Sequence, residues 1–133
     1  MRKATLILDD DTRFCGYSFG AHKCIGGEVV FNTAMTGYTE SLTDPSYAGQ
    51  IMVLTYPLIG NYGVPANDLW ESTQIHAEAL IVSDYSEDYS HWNAKESLGD
   101  WLKREQRPAI TGIDTRALTR LLRERGVMMG RIE

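Results

Sequence analysis

Cysteine is scarce: only Cys15 and Cys24 occur in 133 residues, too few for a disulfide framework and spaced unlike any zinc-binding pattern. Neither stands at a strand-to-helix elbow where a nucleophile would be presented, so a buried, inert thiol is the expected state of each. The three histidines, His22, His76 and His91, are scattered along the chain, and no metal site is expected. Long apolar runs are missing too, and nothing approaches the roughly 18 residues that cross a bilayer. The start, Met1-Arg2-Lys3 with a short apolar run ended by Asp9-Asp10-Asp11, lacks the form of a signal peptide, and a cytoplasmic protein without membrane contact is expected. Positive charge is in deficit, 13 Lys and Arg against 18 Asp and Glu, which opposes the basic field that nucleic acid requires. One stretch departs from this balance. Arg116, Arg120, Arg123, Arg125 and Arg131 crowd the C-terminal end, reading as the solvated face of a helix ahead of a nucleic-acid patch, with an interface to an acidic partner between the two.

What is present is ordinary for a folded domain. Hydrophobic residues make up 43% and charged residues 23%, and the length supports one domain, residues 1–133, with a real core. Ala4–Leu8 and Phe14–Phe19 read as strands joined by an acidic turn, Glu28–Asn32 as a third strand rich in β-branched and aromatic residues. Gln50–Tyr56, Ala77–Val82 and Val127–Ile132 read as further strands. Residues 33–49 are dense in hydroxyls and turn formers, with a helical turn expected over Glu40–Leu42 before the Asp44-Pro45 break. Two helices are expected late in the chain. The first takes Asn93 as its N-cap with Glu96 three residues on, and Leu98, Trp101 and Leu102 as its apolar stripe before Pro108. The second is capped by Asp114 and closed by Gly126, with Ala117, Leu118, Leu121 and Leu122 facing the core. The expected class is mixed α/β.

Few residues in this pattern carry recognisable chemistry. Glu28, Glu40 and Asp44 flank the irregular segment, yet no spacing rule makes them an acid–base pair, and turn and cap roles are the simpler reading. Gly26-Gly27 precedes a strand instead of opening a helix, and Gly60-Asn61-Tyr62-Gly63 lacks the lysine of a phosphate-binding loop. Ser41 and Ser46 have no histidine close in sequence to activate them. No catalytic residue is assigned.

Longer blocks carry a resemblance. Gly27-Glu28-Val29-Val30-Phe31-Asn32-Thr33-Ala34-Met35-Thr36-Gly37-Tyr38, then Leu42-Thr43-Asp44-Pro45-Ser46-Tyr47, Leu54-Thr55-Tyr56-Pro57-Leu58-Ile59-Gly60-Asn61-Tyr62-Gly63 and Asp114-Thr115-Arg116-Ala117-Leu118-Thr119 follow one another in order. With Glu71-Ser72, His76 and Ser90-His91-Trp92 between them, the chain closely resembles the opening domain of the small, glutamine-using subunit of carbamoyl phosphate synthetase. The resemblance implies a swivelling β/β/α fold with two C-terminal helices. It also implies a non-catalytic role: docking a class I amidotransferase domain, which would lie beyond Glu133, onto the large synthetase subunit or a fused equivalent. The parent reaction takes glutamine, bicarbonate and two ATP to carbamoyl phosphate for pyrimidine and arginine synthesis. ATP and Mg²⁺ belong to the large subunit, so no cofactor is expected here, and the chain alone should be inactive. One site residue is implied, Ser46, lining the glutamine pocket. The stretch Ala66-Asn67-Asp68-Leu69-Trp70 is shorter than the loop found in the most similar forms. A free-standing binding or regulatory module is the alternative function, and a small hydrolase built on the 33–49 loop a third.

Overall fold

The structure, a computed structural model, describes residues 2–33, 38–55, 64–65, 74–85 and 94–133. Ala4, Leu6 and Leu8 recur at the two-residue period of a strand with one face inward, and they lie buried on β1 (Lys3–Leu8). An acidic turn leads into β2 (Arg13–Ser18), where Asp10 accepts from the Thr12 amide at 3.0 Å. The Asp triplet is thus a turn, as expected. β3 (Ile25–Asn32), α1 (Tyr38–Thr43), a 3-10 turn (Pro45–Tyr47) and β4 (Gln50–Leu54) follow. β5 (Val64–Pro65), β6 (Ala79–Ile81), β7 (Ala94–Glu96), α2 (Leu98–Arg104), β8 (Ala109–Thr111), α3 (Thr115–Arg125) and β9 (Met128–Ile132) complete the order.

Seven strands close into a barrel in the order β1-β2-β8-β6-β4-β3-β9, while β5 and β7 pair apart from it. The arc β3-β4-β6-β8 is parallel, and the other pairings are antiparallel. Parallel strands covered on both faces should be apolar throughout, and β4 is so from Ile51 to Leu54. Ile51 and Val53 point inward, in register with Val29 and Phe31 on one side and Ala79 and Ile81 on the other. Met52 and Leu54 point outward into a second layer under α1 and α2, with Tyr38, Leu42, Leu98, Trp101 and Leu102. α3 sends Leu118 and Leu122 into the barrel's interior cluster. The mixed α/β class holds, with two of three helices C-terminal.

Two glycines permit this packing. Gly126 ends α3 at φ 79°, a conformation L-residues rarely adopt, and turns the chain into β9. Gly99 donates its amide to the Tyr85 hydroxyl at 2.8 Å. A Cβ there would lie 2.9 Å from the Phe19 carbonyl oxygen, so only glycine lets α2 sit this close.

Two expectations need correction, and one strand was not expected. The first late helix starts at Leu98 and is capped by Ser97, whose hydroxyl accepts from the Asp100 amide, because residues 94–96 are drawn into β7. Asn93 lies outside the described residues. The stretch between the two late helices is a strand, β8, whose three residues sit fully buried between β2 and β6. Both cysteines are exposed rather than buried: β2 alternates, placing Cys15 on its outer face, and Cys24 lies in the loop before β3.

Candidate functional site

Ser46 sits in the middle of the 3-10 turn and is exposed. The turn is built locally. Pro45 fixes φ at its first position, and Asp44 caps it, accepting from the Ser46 amide at 3.0 Å. Amides of Tyr47 and Ala48 close back on the carbonyls of Asp44 and Pro45, each at 3.1 Å. The Ser46 amide, then its hydroxyl, hold the Asp44 carboxyl below the ordinary aspartate range, with His76 adding to the effect. The turn is anchored from outside by Asn32 at the end of β3. Its side-chain amide donates to the Ser41 hydroxyl and to the Tyr47 hydroxyl, both at 3.2 Å. Ser46 is therefore presented on a turn whose two neighbouring segments are tied to the barrel.

The other sequence candidates have structural partners. Glu28 accepts from the Gln50 amide at 3.4 Å across paired strands. Ser41 is the acceptor for Asn32. Glu40 lies in the first turn of α1. Among the described residues no cysteine is hydrogen-bonded to a histidine: Cys15 accepts from the Thr5 hydroxyl, and His22 meets Arg2. No group of three metal-ligating side chains forms among the described residues, and no described helix is long and apolar enough to cross a membrane.

A second feature lies at the barrel's mouth, where the parallel strands end. Thr33 follows β3, Thr55 follows β4, Ser83 lies two residues past β6, and Asp114-Thr115 opens α3 after β8. These residues, together with the α3 side chains Arg116, Arg120 and Arg123, line a cleft of about 630 Å³. The crowded arginines of the sequence thus divide. Arg125 pairs with Asp10 and Arg131 with Glu133, whereas Arg116, Arg120 and Arg123 have no carboxylate partner among the described residues. Their spacing, i, i+4, i+7, puts them on one face of α3.

The described residues, then, offer a rigid turn presenting one hydroxyl, a basic cleft, and no nucleophile–base pair. The family described as "Carbamoyl-phosphate synthase small chain, CPSase domain" matches residues 6–132. The chain belongs to that family.

Relatives of this CPSase domain fall into two kinds. The Multifunctional protein URA2 of Saccharomyces cerevisiae is 53% identical over 142 aligned positions, covering 98% of the chain and 6% of that protein. That alignment is longer than the chain, so this relative carries residues that the chain lacks. The carbamoyl phosphate synthase arginine-specific small chain of the same yeast is 50% identical over 139 positions, covering 98% of the chain and 34% of the relative. The chain thus spans about a third or less of the length of these relatives. Among solved structures, an aminopeptidase from Aneurinibacillus sp. strain AM-1 matches with a TM-score of 0.52 at 14% identity, over 98% of the chain and 30% of that protein. This is a likeness of fold alone.

The blocks that carry the family resemblance of this CPSase domain are partly described. Thr33, Thr55 and Asp114-Thr115-Arg116 converge on the mouth, although Thr55 and Asp114 stand 59 positions apart in sequence. The stretches 34–37, 56–63, 66–73 and 90–92 lie outside the described residues. Sequence reasoning missed the cleft because its walls come from four strand ends. The arginine spacing along one helix was the signal that pointed there.

Proposed function

We infer that this CPSase domain is a non-catalytic part of a glutamine-dependent carbamoyl phosphate synthetase, contributing Ser46 to the glutamine pocket and docking the glutaminase on the synthetase. The observation that carries this reading is the Asp44-capped turn. It holds Ser46 exposed and set against the Asp44 carboxylate, with no histidine hydrogen-bonded to it among the described residues, which suits binding and not attack. A hydroxyl both donates and accepts, so it can meet either the ammonium or the carboxylate end of glutamine. Backbone fixed in advance by Pro45, Asp44 and Asn32 lowers the entropy lost when substrate is held. The partners on this reading are a class I amidotransferase domain and a large synthetase subunit or its fused counterpart, with ATP and Mg²⁺ bound by the synthetase.

Amide hydrolysis by a covalent route needs a nucleophile activated by a neighbouring base, and neither exposed cysteine has one among the described residues. The purified 133-residue chain should release no ammonia from glutamine above background. Turnover that disappeared in Cys15→Ala or Cys24→Ala would overturn the reading.

A further inference from the structure

We propose that the cleft at the barrel mouth is a binding site for a small molecule carrying a phosphate group, gripped by Arg116, Arg120, Arg123 and the hydroxyls of Thr115 and Thr119. The inference stands apart from the glutamine-pocket role of Ser46 and does not depend on it.

Placement comes first. Ligands of sheets with parallel strands gather beyond the carboxyl ends of those strands, and this cleft lies beyond four of them. The N-terminus of α3, an 11-residue helix, opens at the same place, adding unpaired amides and partial positive charge to its floor.

The charges agree. Arg104, Arg107, Arg125 and Arg131 are all engaged by carboxylates. Among the described residues the three arginines lining the cleft are not, in a chain whose net charge is −5. Arg123 is instead held over the Phe31 ring, 5.2 Å from its centroid, which fixes its guanidinium beside the opening. Asp114 is the one carboxylate among the described lining residues, and it is already occupied as the cap of α3, accepting from the Ala117 amide at 3.0 Å. Three cations against one committed anion suit a doubly charged group. Guanidinium forks match phosphate oxygens in geometry as well as charge.

An independent observation points to a ligand. Thr119 lines the cleft at 7% exposure, and its hydroxyl is buried without a hydrogen-bond partner among the described residues. A helical threonine commonly returns its hydroxyl to the carbonyl one turn earlier, and this one does not. Buried polar groups are rarely left unsatisfied. Turned toward the cleft that Thr119 lines, the hydroxyl would donate to a phosphate oxygen there, with Thr115 one turn away on the same helix. The volume, about 630 Å³, is that of a small-molecule pocket, larger than an inorganic ion needs, so the phosphate is read as one end of a larger ligand.

The test is an NMR titration of the ¹⁵N-labelled 133-residue chain with inorganic phosphate, with acetate and chloride at matched ionic strength. Saturable shifts of the Thr115–Arg120 amides with phosphate, absent with chloride and weaker with acetate, are expected. Thr119→Val should weaken phosphate binding by roughly tenfold or more, as loss of a hydrogen bond to a charged group does. Without phosphate the same variant should melt no lower than the parent, because it removes a hydroxyl that nothing among the described residues satisfies; a lower melting point would mean that hydroxyl has a structural partner. Arg120→Gln, on the exposed side, should weaken binding comparably. Equal shifts with all three anions, tighter binding of acetate than phosphate, or phosphate affinity unchanged in both variants would each overturn the assignment.

Discussion

Asn32 is the residue on which the presentation of Ser46 depends, and its contribution can be worked out bond by bond. Two of its side chain's hydrogen bonds, partly buried and both 3.2 Å long, go to Ser41 and to Tyr47. Each is worth about 0.5–1.5 kcal/mol net, so Asn32→Ala should cost about 1–3 kcal/mol. With a urea m-value of about 2 kcal/mol/M, the unfolding midpoint should fall by about 0.5–1.5 M at constant m. Tyr47→Phe removes only the second bond, and a double-mutant cycle between the two isolates it. The cycle should return a coupling of about 0.5–1.5 kcal/mol, measured by urea unfolding followed by tryptophan fluorescence. A coupling indistinguishable from zero would refute the view that the turn is tethered to β3. Ser46 would then be held by its local cap alone.

Gly126→Ala should destabilise by about 1–3 kcal/mol, the cost of forcing a side chain into a sparsely populated backbone region, because Gly126 sits at φ 79° and ψ −136° between α3 and β9; calorimetry checks it, and an unchanged melting temperature would contradict it. The depressed Asp44 carboxyl, held chiefly by the Ser46 amide, predicts an acid-limb effect. A lowered folded-state value stabilises fully above the unfolded value, about 3.9, and that part is lost as pH falls through the folded value. Asp44→Asn keeps a capping side chain without the charge, so the stability difference from the parent should be constant near neutrality and vanish in strong acid; a difference that grew on acidification would have the wrong sign.

How much of this was legible from residues follows the range over which each feature is decided. α3 was readable end to end because its signals are local: Asp114 at the start, Leu118 and Leu122 one turn apart, Gly126 at the stop. The buried stripe Leu98, Trp101 and Leu102 was equally local, but the cap was not. Asn93 and Ser97 are both good caps, and the choice fell to the pairing of residues 94–96 with β5. β8 was invisible for the opposite reason. Three residues between Pro108 and Gly112 are too few to show a period, and only neighbours from distant sequence make them a strand. Barrel closure rests on pairings such as β1 with β9, more than a hundred residues apart, which no window could reveal. Both cysteines were misplaced because a thiol without a disulfide, zinc or nucleophile pattern was read as a buried one, whereas the alternation of Arg13, Cys15 and Tyr17 turns Cys15 outward. At the site, Ser46 came from family resemblance, and the structure adds the cap and the Asn32 tether. The role of Thr119 needed coordinates, since an unmet hydrogen bond has no signature in sequence.

Kinetics of Ser46→Ala in the complete small chain–synthetase enzyme test the assignment most directly. A residue that binds glutamine without reacting removes uniform binding when truncated, and a lost hydrogen bond to a charged group costs about 1.5–3 kcal/mol, or roughly ten- to a hundredfold. The account predicts that the KM for glutamine rises by that factor while carbamoyl phosphate synthesis from free ammonia stays nearly unchanged; an unaltered glutamine KM, or an equal loss with both nitrogen sources, would contradict it.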